Sequence, residues 1–225
     1  RLILPRDERD EGDRYARAAA AMHEWEARGL LRRDDVSRFY GYRMDFVDPH
    51  GEPAHTIGIL GELALPERVG EGDILPHERT LPKAKSDRLE LLRATRANLD
   101  PIWWLSPAPG LTELIDTAHE LCRCVDETGT SHRLFAIDDP QSIAAIQAAI
   151  GAHPLVLADG HHRFETAINY REERRSAAID DVGARSILCF VVELTDHELC
   201  IQAIHRLVNV PGDVDVLAAL ADAFT

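Results

Sequence analysis

Apolar positions along the chain follow two periods, and the alternation between them predicts the elements. Tyr15, Ala18, Ala19, Met22 and Trp25 recur at helical spacing within residues 13–28, and Gly29 follows as a stop. The stretches FYGYRMDFV and HTIGILGEL then read as two strands joined by DPHGEP, a hairpin-like turn. Asp87 and Glu90 stand at capping-box spacing before a helix expected to run to Asn98, with Leu89, Leu92 and Ala97 on its inner face. PIWWLS is a short strand. Leu111, Leu114, Ile115, Ala118, Leu121 and Cys122 mark another helix. HRLFAID is a strand, and Asp139-Pro140 opens the next helix as cap and first-turn proline. HPLVLA reads as a buried strand. RSILCFVVEL and LCIQAIHRLV, linked through TDHE, suggest an antiparallel pair.

Strands that alternate with helices and also pair in hairpins predict an α+β, or mixed α/β, fold. Residues 1–225 read as a single region, with a soft lobe boundary near Gly110 or Gly129. The segment PERVGEGDILPHERTLPKAK breaks the periods, holding two glycines and three prolines. An aperiodic stretch of that length is a candidate functional loop.

The chemistry concentrates where HPLVLA ends, at Asp159-Gly160-His161-His162-Arg163. A strand, a glycine turn and a helix N-terminus make an anion site, because unpaired backbone amides and the helix dipole both favour negative charge. Gly160 permits close approach of a phosphate, and Arg163 offers a forked donor for its oxygens. A cation in the first helical turn is itself disfavoured by the dipole, so a bound anion would explain it. Asp159 alone is better explained as an N-cap than as a catalytic group. His161 and His162 fit either buried hydrogen-bonding roles or donation to a ligand, and His161 with Glu165 at i,i+4 is a conceivable metal pair.

A second cluster, Pro76-His77-Glu78-Arg79-Thr80, lies in the aperiodic loop. Leu81 stands where a zinc protease would need its second histidine, which excludes that pattern. Glu78 beside His77 could serve as a general base; from spacing alone an exposed charged loop is the better explanation. His205-Arg206 is a third possible anion contact, with a surface strand pair the better account.

Composition narrows the partners. With 39 acidic against 25 basic residues the net charge is −14, which repels nucleic acid and anionic membrane alike. Lys83 and Lys85 are the two lysines of the sequence, so no Walker-type phosphate loop exists. Cys122 and Cys124 lack zinc-knuckle or redox spacing, and Cys189 and Cys200 fall in apolar runs. That usage predicts a reducing, cytoplasmic setting. The chain opens RLILP without methionine and stops at LAALADAFT, as a piece of a longer protein would.

Three stretches, ILPHERTLPKAKSDRLELLRATRANLDPIWWLS, VLADGHHRFETAINY and IQAIHRLV, resemble the bacterial family catalogued as domain of unknown function 1015, in that family's order. Against it, an N-terminal segment and a C-terminal portion are expected to be missing. The Gly160–Arg163 element is also similar to the Gly-x-x-Arg phosphate motif of the ParB/sulfiredoxin-like superfamily. That resemblance implies a ParB/sulfiredoxin-like core and places nucleotide phosphates at Gly160, His161, His162 and Arg163; Thr80 and Arg206 are further candidate contacts from the two other clusters. Since the superfamily includes kinases of free L-serine, it implies a nucleotide-dependent phosphotransferase acting on a small hydroxyl compound. Glu78, His77 and Asp159 are then the catalytic candidates, and ATP or ADP with Mg²⁺ the cofactors. The alternatives are a nucleotide-binding regulatory module without turnover and a metal-dependent hydrolase built on His161 and Glu165.

Overall fold

The computed structural model describes residues 2–6, 13–78, 82–116, 119–195, 209 and 215–221. Its helices are α1 (Arg14–Ala27), α2 (Pro82–Thr95), α3 (Leu111–Asp116), α4 (Pro140–Gly151), α5 (His161–Ser176) and α6 (Val216–Ala221). Its strands are β1 (Phe39–Val47), β2 (Pro53–Ala64), β3 (Ile74–Leu75), β4 (Ile102–Ser106), β5 (His119–Val125), β6 (Ser131–Ile137), β7 (Leu155–Asp159) and β8 (Ser186–Glu193). All eight strands join one mixed sheet in the order β3-β7-β4-β8-β2-β1-β6-β5. The fold is mixed α+β, as the periods predict.

One expected hairpin forms. β1 pairs antiparallel with β2, and Asp48 closes the turn by accepting from the amides of His50 and Glu52. β5 pairs antiparallel with β6. Alternate positions of the central strands, Ile57, Ile59, Ile102, Trp104, Leu157 and Val191, face one core with Leu111, Ile115, Ile146, Phe164 and Ile168 from the helices. Trp104 is 0 % exposed and meets Phe164 edge to face, with ring centroids 5.3 Å apart. This packing fixes α5 against β4, and therefore fixes where its N-terminus lies. Close approach also requires Gly41: a Cβ there would stand 2.3 Å from Cγ2 of Ile115.

Three sequence expectations change. The helix predicted from Asp87 starts at Pro82 and ends at Thr95. Asp87 is no capping residue; its carboxylate accepts from Arg14 and from the Tyr15 hydroxyl at 2.6 and 2.7 Å, tying α2 to α1. The helix predicted over Leu111–Cys122 stops at Asp116, and β5 follows. Leu121 and Cys122 are exposed on that strand, so their helical spacing was coincidental and pairing to β6 decides the conformation. β8 forms as expected, but β4 and β2 occupy both its edges from Cys189 to Val192. The other member of its expected hairpin, residues 199–208, lies outside the described residues.

Candidate functional site

The site is assembled by sheet direction. β3 runs parallel to β7, with Ile74 opposite Leu155 and Leu75 opposite Val156. Parallel strands deliver their C-terminal ends to the same edge of a sheet, so residues 77 and 78 arrive beside the turn that follows Asp159. β4 is antiparallel to β7, with Trp103 opposite Asp159. The residues just before β4, Asp100 and Pro101, therefore reach the same edge. Three segments distant in sequence converge on the first turn of α5.

Gly160 is the N-cap of α5. It sits at φ +103°, ψ 23°, in the left-handed region, and has no side chain with which to cap the first-turn amides. The first helical bond runs from the Phe164 amide to the Gly160 carbonyl at 2.9 Å. A Cβ on Gly160 would meet Nη2 of Arg163 at 3.0 Å and Cγ1 of Ile102 at 3.2 Å. Glycine is thus required twice, by backbone angle and by the guanidinium lying across it.

The expected capping role of Asp159 is not observed. Asp159 is the last residue of β7, one position too early to be the N-cap, and its carboxylate turns to Arg163 Nη2 at 2.8 Å. Arg163 Nη1 donates to Asp100 and, at 2.8 Å, to the Pro101 carbonyl. The anion that justifies an arginine in this first turn is supplied internally, by two carboxylates. Asp100 is the site residue that sequence reasoning missed. Its one signal was an Asp-Pro step immediately before a strand, which does not say what the carboxylate faces.

His161 is 3 % exposed and locks the loop to the helix. Its Nε2 accepts the His77 backbone N–H at 3.2 Å, and its Nδ1 faces Glu78 Oε2 at 3.4 Å. An Nε2 that accepts a hydrogen bond carries no proton, so the ring is the neutral Nδ1–H tautomer, directed at the Glu78 carboxylate. Burial holds the His161 pKa below its ordinary value, opposed by the attraction of Glu78. The helix dipole works in the same direction, since a cation at an N-terminus is unfavourable. The His77 ring adds an edge-to-face contact, with centroids 4.6 Å apart. The two sequence clusters, read separately, are one constellation.

With both ring nitrogens engaged, His161 has no lone pair to share with Glu165, and the metal pair suggested by their spacing does not form. Among the described residues no three His, Cys, Asp or Glu side chains converge as an all-protein metal cage would require. The His162 carbonyl accepts from the Thr166 hydroxyl at 2.6 Å. Thr80, Arg79 and Arg206 lie outside the described residues. No described helix is long and apolar enough to cross a membrane.

Neither a curated protein nor a solved structure matches the chain. The family described as protein of unknown function (DUF1015) matches across residues 1–225. The match takes in the loop, the turn and the helix that build the site, and the chain belongs to the DUF1015 family.

Proposed function

We propose that the protein is a nucleotide-dependent phosphotransferase acting on a small hydroxyl compound, with free L-serine the first candidate. The observation that carries this reading is the meeting of the Glu78 carboxylate with the uncapped first turn of α5, through His161. Phosphoryl transfer depends on positioning and on electrostatic stabilisation, and this turn offers both. The likeness of Gly160–Arg163 to the ParB/sulfiredoxin-like phosphate motif supports it further.

In this account the amides of the first turn and the Arg163 fork hold the nucleotide phosphates. Arg163 begins fully engaged, so a phosphate oxygen takes the place of one carboxylate, and Asp159, whose side chain is 76 % exposed, is the one able to swing away. The oxygen donors of Asp159 and Asp100 fit Mg²⁺, which keeps waters and phosphates as its other ligands and would neutralise phosphate charge. Glu78 orients the acceptor hydroxyl and takes its proton as the oxygen attacks the terminal phosphorus, while the bond to the nucleotide's leaving oxygen breaks. His161 Nδ1–H holds the Glu78 carboxylate in position, and His77 lies against that ring.

Calorimetric titration with ATP and ADP plus Mg²⁺ tests the reading. Binding by the wild type and its loss in Arg163→Ala is the expected result, and unaltered affinity in the variant would remove the central claim. Glu78→Gln, measured alongside with serine first among the acceptors, should bind nucleotide normally and fail to consume it. Normal consumption would return Glu78 to the status of a loop charge. Full engagement of Arg163 by Asp100 and Asp159 also suits a second reading, a nucleotide-binding switch without turnover, in which ligand displaces an internal ion pair. Binding without consumption across an acceptor panel would select it.

A further inference from the structure

A cavity of about 420 Å³ lies along α5, beyond Arg163 as seen from the helix N-terminus. Its walls include Leu92 and Asn98 from α2 and the segment after it, Ala167 and Tyr170 from α5, and Asp181 and Ala184 around the short 3-10 turn Val182–Arg185. A second, narrow cavity of about 60 Å³ shares Leu92 and Asn98 with it and is also lined by Asp100 and Arg163. The larger chamber and the cavity at the ion-paired turn are therefore neighbours, with Leu92 and Asn98 lining both. We infer that this chamber receives the ribose and base of the nucleotide whose phosphates the α5 turn holds, an inference that rests on the nucleotide reading above.

Distance decides between the two halves of the reaction. Tyr170 lies about 13 Å along the helix axis from His161, from their spacing on α5. An acceptor hydroxyl must stand beside Glu78, and therefore at the His161 end. A molecule filling the chamber is too far away to be attacked or to attack. What belongs there is the end of the nucleotide remote from the transferred phosphoryl group. The size agrees, since small-molecule pockets run from about 300 to 1,000 Å³.

The lining has the matching chemistry. Leu92, Ala167, Ala184 and the buried Tyr170 give apolar surface for a base, while the Arg174 guanidinium lies 5.8 Å from the Tyr170 ring centroid. Asp181 is the acceptor: its side chain is 14 % exposed, held by Arg96 at 3.2 Å and Arg174 at 3.1 Å. With two guanidiniums holding it in place, its remaining lone pairs can take hydrogen bonds from ribose hydroxyls or an exocyclic amine. Arg96 reaches it from a left-handed backbone, φ +51°, one residue past the end of α2. Asn98, also in the lining, carries an amide with both donor and acceptor.

The test compares ATP with inorganic tripolyphosphate, which carries the same phosphate chain and no nucleoside. Wild type should bind both, ATP more tightly. Ala184→Phe, which fills the chamber, should weaken ATP by at least about tenfold and leave tripolyphosphate within about twofold. Asp181→Asn provides an independent variant should the larger side chain prevent folding, with circular dichroism checking both, and should also weaken ATP alone. ATP bound by both variants as by wild type would overturn the inference while the phosphate site stands. So would wild-type ATP affinity no greater than that for tripolyphosphate. Wild type binding neither ligand would instead remove the nucleotide reading itself, and the chamber's role with it.

Discussion

Helices α4 and α5 each follow a strand that ends near an aspartate, yet their N-termini are finished differently. Asp139 caps α4 from extended backbone, φ −66°, accepting from the Ser142 amide at 2.8 Å and the Ser142 hydroxyl at 2.9 Å. At α5 the aspartate comes one residue earlier, and Gly160 occupies the cap position without a side chain to offer. The first helix consumes its own amide donors, and Pro140 removes another. The second has no cap side chain, and an arginine, two carboxylates and a histidine-held glutamate gather around it. A one-residue shift of an acid separates a helix end capped by its own side chain from one whose acid pairs with an arginine instead.

Substitutions can break that contrast in graded ways. Gly160→Ala forces a Cβ into the left-handed region and towards Arg163, and should cost about 1–2 kcal/mol from the backbone alone. Urea denaturation would show it, and weaker nucleotide binding should accompany it because the guanidinium is displaced. Asp139→Ala should cost about 1 kcal/mol, the usual loss for an N-cap, and leave nucleotide binding unchanged. If Asp139→Ala impaired binding as much as Gly160→Ala did, the two ends would not be functionally distinct.

The smallest effect is pH dependence at His161. Its native pKa lies below the ordinary histidine value, so the neutral form is favoured in the folded chain. The associated stability is fully present above about pH 6.5, the ordinary value, and is lost as pH falls through the native pKa. Protonation at Nε2 also removes the acceptor for the His77 amide, so acid should release residues 77–78 from α5. His161→Gln should lose less stability than wild type between neutral and mildly acidic pH. Identical slopes would place the titration elsewhere.

Much of this was legible in sequence because local patterns carried it. The apolar runs read as strands form β1, β2, β6 and β8, and Asp139-Pro140 is a cap whose geometry is contained in its own residues. The failures share a cause, which is that a distant partner made the decision. Leu121 and Cys122 satisfy a helical period, and only pairing to β6 overrides it. Asp87 has capping-box spacing, but α1 claims its carboxylate. At the site, the residue types at 77–78 and 159–163 were visible, while their union depends on β3 running parallel to β7. Asp100 needed β4 to lie antiparallel on the other side of β7, which no local pattern encodes.

The central claim is that the uncapped turn of α5 holds phosphate, and backbone amide resonances report on it most directly. Titration of isotope-labelled protein with ATP and Mg²⁺ should shift the amides of His161, His162 and Arg163 together, saturating with one affinity, while those of Gln141, Ser142 and Ile143 at the capped α4 end stay still. Saturable shifts centred on another part of the chain, with the α5 turn silent, would contradict the account.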